Sequence, residues 1–131
     1  MAKWSNDANM DAMLNNIKTT ALRLCVCSAQ PTTWAEATTT HDGGASKYCL
    51  AIKTIASTDF TGPADGDVSG RKLTVNEAAG IEVLATASAT HIALADADDT
   101  LIYVTTCTSQ ALTDGNTVTV PAFDIEVADA A

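Results

Sequence analysis

Residues 89–127 read ATHIALADADDTLIYVTTCTSQALTDGNTVTVPAFDIEV. Thr90 to Ala95 alternates, with Ile92 and Leu94 on one face and His91, Ala93 and Ala95 on the other. Asp96-Ala97-Asp98-Asp99 is a turn, because short carboxylates bond their own backbone and tolerate tight geometry. Thr100 to Cys107 is β-branched and aromatic, which suits a pleated, half-buried surface. Asp114-Gly115 signals a second turn. Val118 and Val120 alternate with Thr117 and Thr119; past Pro121, Phe123, Ile125 and Val127 alternate with Asp124 and Glu126. Period-two patterning with one wet face predicts antiparallel sheet throughout this block.

Working outward, the 131 residues fit one domain, 1–131, long enough to bury a core without staples. Aromatics are only 5%, so that core is built from Ile, Leu, Val and Ala. The net charge of −9 argues against nucleic-acid binding, which needs Lys and Arg to displace counterions. It favours solubility or a basic partner surface. No apolar run approaches membrane-spanning length, so no membrane partner is expected. Met1-Ala2-Lys3-Trp4 lacks the apolar core of a secretory leader, so folding in the cytosol is expected.

Toward the N-terminus, Ser5 or Asn6 can cap a helix, with Asp7 and Asp11 near its positive end. Met10, Met13, Leu14 and Ile17 form one apolar stripe, placing the helix at about residues 6–19. Residues 21–29 form a strand, with Leu22, Leu24 and Val26 opposite Arg23, Cys25 and Cys27. Residues 31–46 read as a long loop containing Trp34, which either anchors a partner or folds back on the core. Residues 47–55 form a strand with Tyr48, Leu50 and Ile52 inward and Lys47, Cys49 and Lys53 on the other face. Residues 57–70 read as a loop, and 71–75 and 81–87 as strands. The expected fold is mainly β: an antiparallel β-sandwich or jelly-roll-like barrel of about eight strands with one N-terminal α-helix.

Candidate chemistry is sparse. Asp65-Gly66-Asp67 resembles a fragment of a calcium loop, but the remaining oxygen ligands are missing. Asp96, Asp98 and Asp99 could also gather an ion, though a hydrophilic turn explains them equally. Cys25 and Cys27 are spaced C-x-C, unlike redox or zinc pairs, and lie too far apart along a strand to bond each other. The four cysteines, Cys25, Cys27, Cys49 and Cys107, read as small buried hydrophobes or as candidates for a structural or inter-chain disulfide. Cys49, beside Lys47 and Lys53, is the expected exposed one, able to bond another chain, Cys25 or Cys27 after release from a reducing cell. His41 and His91 fit no ligand or nucleophile pattern, and no phosphate loop, nucleophile elbow or zinc-protease motif occurs. No enzyme activity, metal or other cofactor is therefore expected.

The N-terminal helix leading into LRLCVCSAQPTT, then SGRKLTV, then the 89–127 block resembles a family of small tailed-phage virion proteins. The most specific part is the pattern THxALxD, a turn, LxYxT, then SQALTxGNTVxVPAxDIEV; residues 35–46 depart from it. The resemblance covers most of the chain and implies a virion structural protein without catalysis. On that basis the expected role is a capsid decoration (cement) protein, assembled in the host cytoplasm. Its expected partners are the major capsid protein and other virion proteins, in a homo- or hetero-trimer. A neck, collar or tail-fibre-associated role is the alternative. A sugar- or receptor-binding module would have only Trp34, Tyr48 and Tyr103 to build on. Trp34, Lys47, Lys53, Arg71 and Lys72 are the candidate partner contacts.

Overall fold

The computed structural model describes residues 6–67 and 70–127. Helix α1 spans Asp7–Thr20, and the Asn6 side chain accepts the Ala8 N–H at 2.7 Å as its cap. Ser5, the other expected cap, lies outside the described residues. Met10 and Leu14 are buried and Ile17 is half-buried, but Met13 is 57% exposed. The stripe is narrower than expected because Met13 is rotated about 60° from Met10, away from Leu14, at 3.6 residues per turn.

The strands are β1 (Arg23–Cys27), β2 (Cys49–Thr54), β3 (Phe60–Asp65), β4 (Arg71–Val75) and β5 (Ala78–Glu82). They continue with β6 (Ala87–Ala95), β7 (Leu101–Leu112), β8 (Thr117–Val120) and β9 (Phe123–Val127). All pairings between them are antiparallel, in sheets ordered β2-β1-β6-β7, β3-β4-β9 and β5-β8. The architecture is a β-sandwich-like fold with an N-terminal helix, as the patterning predicts.

Leu24, Val26, Ile92 and Leu94 from the largest sheet meet Leu73, Val75 and Ile125 from the second and Ile81, Val118 and Val120 from the third. Leu14 of α1 closes this core. The other face of β1 is buried too. Cys25 and Cys27 join Ala93 and Ala37 in a smaller cluster, flanked by Tyr48 and Ile52. The cover over that face is α2 (Trp34–Thr38), inside the stretch read from sequence as loop. The Thr33 side chain accepts the Glu36 N–H at 3.2 Å, capping α2.

Three further local readings are corrected. Residues 57–70 contain a 3₁₀ turn (Ser57–Asp59) and strand β3, the ninth strand among the described residues. Pro63 is tolerated there because β3 is an edge strand and needs no donor on its outer side. The strand expected at 81–87 lies instead at Ala78–Glu82, and the chain then crosses between sheets. Val83 bridges Ala51 there, and the Leu84 N–H donates to Leu50 O at 2.7 Å. In β2 the register slips: Val26 pairs with Ala51 but Cys27 with Cys49, leaving Leu50 as the extra residue of a bulge. Leu50 and Ala51 therefore both reach the main core, while Tyr48 and Ile52 lie on the α2 side, with Cys49 opposite Cys27.

Candidate functional site

The sandwich is open along one seam. Strand β7 is the outermost strand of the largest sheet, and across from it run β8 and the Pro121–Asp124 turn into β9. Between them lies a groove of about 340 Å³. Its apolar surface comes from Val26, Ile92, Leu112 and Val118, and Thr105 and Thr108 stand along the β7 side. Thr100 to Thr113 is the longest uncharged run in the sequence, and it contains all of β7. Register shifts at both ends leave Tyr103–Thr106, opposite His91–Leu94, as the regular part of the edge. An edge strand presents unpaired backbone donors and acceptors, and native proteins usually blunt such edges with charge. Here the side-chain charges are missing from the edge, although the chain as a whole carries −9. The groove thus sets apolar surface beside unpaired edge-strand backbone groups, a combination suited to an extended apolar segment.

The side chains expected to contact a partner are mostly used within the molecule. Trp34 folds back: its Nε1 donates to Asp96 O at 3.0 Å and its ring is half-buried. Lys47 pairs with Asp42 at 2.7 Å. Arg71 Nε donates to Asp11 Oδ1 at 2.7 Å and its Nη1 to Asp65 Oδ1 at 2.6 Å, tying α1 to β4. The Asp11 and then the Asp65 hydrogen bonds hold the Arg71 guanidinium above its ordinary range. Lys72 Nζ donates to Asp67 at 2.7 Å, a bond that raises its ammonium likewise. Lys53 is half-buried and makes no ion pair among the described residues. These five residues do not gather into one surface patch.

The expected exposure of Cys49 is overturned. Cys49 is 0% exposed, because it faces Cys27 on the side of the β1–β2 pair that α2 covers, so it cannot reach another chain from the folded state. Cys25, Cys27 and Cys49 are buried free thiols, and Cys107, half-buried, lines the seam. The Cys25 S–H donates toward Cys49, which with burial pushes the Cys25 thiol up. The same bond draws the Cys49 thiol below its ordinary range, against the opposing effect of burial. Burial, and then the neighbouring Cys49, push Cys27 up to about 12.

The two candidate ion-binding clusters are tied up internally. In the Asp65-Gly66-Asp67 stretch, Asp65 bonds Arg71 and Asp67 bonds Lys72. Asp67 instead lies near Asp124 and Glu126, all three exposed, with Lys72 among them. Asp96 Oδ1 accepts the N–H groups of Asp98, Asp99 and Thr100, each at 2.9 Å. His41 Nδ1 donates to Lys47 O at 2.9 Å, and His91 Nδ1 pairs with Thr90 Oγ1 at 2.8 Å.

Sequence reasoning overlooked the seam, although the uncharged run from Thr100 to Thr113 was its signal. It also overlooked α2, whose Thr33-x-x-Glu36 spacing is that of a helix start. The chain matches no protein-family model, no curated protein and no solved structure.

Proposed function

We propose that this chain is a non-enzymatic structural protein of a tailed-phage particle, a capsid decoration protein that binds and stabilises the major capsid shell. The observation that carries this reading is the seam: an open, uncharged edge strand beside an apolar groove in a chain of net charge −9. Such an edge suits strand addition by an extended segment of a coat subunit, where main-chain bonds give affinity and alternate side chains enter pockets. The resemblance of the 89–127 block to small virion proteins supports the same reading. Many copies on a repeating shell multiply a modest single contact, and a trimer of this chain would engage several coat subunits at once.

The test is co-sedimentation of the purified protein with particles that lack it. Wild-type protein binds at saturable stoichiometry. Thr108→Lys, on the exposed β7 side of the groove, weakens binding about tenfold, or 1.4 kcal/mol. Thr58→Lys, an exposed control remote from the seam in the strand order, binds as wild type. Failure of the wild-type protein to bind particles would contradict the role, and unimpaired binding by Thr108→Lys would contradict the surface.

A further inference from the structure

Beneath α2 the buried free thiols Cys25 and Cys27 share one small cluster, and a third buried thiol, Cys49, stands opposite Cys27 on the neighbouring strand. Their positions are not equivalent. Cys27 and Cys49 face each other directly across the β1–β2 pair. The Cys49 N–H donates away from β1, to Thr39 O at 3.1 Å, and its carbonyl accepts from the His41 N–H at 2.8 Å. The bond joining the two strands here belongs to the next residues, Ser28 N–H to Tyr48 O at 2.9 Å. Cys27 and Cys49 thus form a non-hydrogen-bonded antiparallel pair, the kind whose Cα atoms stand about 4.5 Å apart and whose side chains approach closest. That separation lies inside the span a disulfide bridges, roughly 4.4–6.8 Å. Cys25 pairs instead with Ile52, so it does not face Cys49 directly across the two strands.

We propose that Cys27 and Cys49 are a latent disulfide site that cross-links β1 to β2 when the chain meets a small disulfide oxidant such as oxidised glutathione. The Cys49 thiolate attacks one glutathione sulfur, forming a mixed disulfide and releasing one glutathione thiolate, which takes up a proton. The Cys27 thiolate then attacks the Cys49 sulfur, forming the protein disulfide and releasing the second glutathione. The two cysteine sulfurs are oxidised by two electrons, and the glutathione disulfide is reduced by two. Cys25, in contact with Cys49, favours the thiolate that starts the exchange. Access follows local opening of α2, a five-residue helix whose Ala37 carbonyl lies 3.8 Å from Cys27 Sγ. The inference is independent of the proposed virion role, since it concerns only the fold of one chain.

The experiment is to incubate the folded chain with excess oxidised glutathione, alkylate the remaining thiols and digest with trypsin. The free-thiol count falls from four to two while the chain stays free of disulfide-linked dimer on a non-reducing gel. The digest contains peptide 24–47 linked to peptide 48–53, and fragmentation between Cys25 and Cys27 places the bond on Cys27. Cys25→Ala keeps the link and Cys27→Ala loses it. Four thiols persisting, a bond mapped to Cys25 or Cys107, or a covalent dimer would each overturn the proposal. The peptide map of the wild-type chain decides the matter even if a variant fails to fold.

Discussion

The indole Nε1 of Trp34 donates to the main-chain carbonyl of Asp96 at 3.0 Å, joining residues 62 positions apart. This one bond fastens α2 to the β6–β7 turn and so holds the cover over the cysteine cluster. Trp34→Phe keeps most of the ring and removes the donor. It should lower unfolding stability by about 1 kcal/mol, read as a lower midpoint at unchanged slope in urea. An unchanged midpoint would mean that the bond contributes nothing.

The same turn makes stability depend on pH. Backbone N–H groups, Thr100 first and then Asp98, hold the Asp96 carboxyl below the usual carboxylate range. The Thr32 hydroxyl does the same to Glu36 on α2. A carboxyl depressed by folding contributes stability that is full above its unfolded pKa and is lost as pH falls through the folded value. Thermal midpoints should therefore decline below roughly pH 4. Asp96→Asn should flatten part of that decline, and a parallel decline in the variant would remove Asp96 from the account.

Leu50 is the bulged residue of β2 and has no solvent exposure, with its side chain in the main core. Leu50→Ala should cost about 2–5 kcal/mol by opening a cavity. Leu84, 37% exposed, should tolerate Leu84→Ser within about 0.5 kcal/mol. Denaturant midpoints for the two variants check both. Equal effects would contradict the burial of Leu50 in the main core.

Arg71 links Asp11 of α1 to Asp65 of β3. Arg71→Met should loosen α1 while leaving the sheets intact, seen as faster amide exchange over residues 7–20. Because the Asp65 partner is 90% exposed, that arm of the link should weaken with added salt, whereas the half-shielded Asp11 arm should persist. Equal exchange in wild type and variant would show that α1 is held by Met10 and Leu14 alone.

Much of the C-terminal strand pattern was legible because its alternation meets a one-sided core. Ile125 is buried between exposed Asp124 and Glu126, and Val118 and Val120 are buried while Thr117 and Thr119 are exposed. The Asp114-Gly115 turn was equally readable: Gly115 has φ +90°, a conformation that costs glycine nothing sterically. Period-two counting failed at Leu50, since a bulge shifts every later side chain to the other face. The bulge put Ile52 on the wrong face, whereas Cys49 was misplaced on an exposed surface because α2, read as loop, covers its face. Strand β3 was hidden because Gly62-Pro63 and Asp65 read as turn residues, while an edge position tolerates them. The partner contacts were misjudged for a different reason. Lone Lys and Arg residues in sequence do not reveal which carboxylates the fold brings beside them, as Asp11 and Asp65 meet Arg71.

The central claim, that the chain decorates a capsid through the β7 seam, is tested most directly by its copy number in purified particles. Quantitative mass spectrometry against the major capsid protein should find it at one copy per coat subunit or a simple fraction of that count. Its absence from the particle, or a few copies only, would contradict the decoration role.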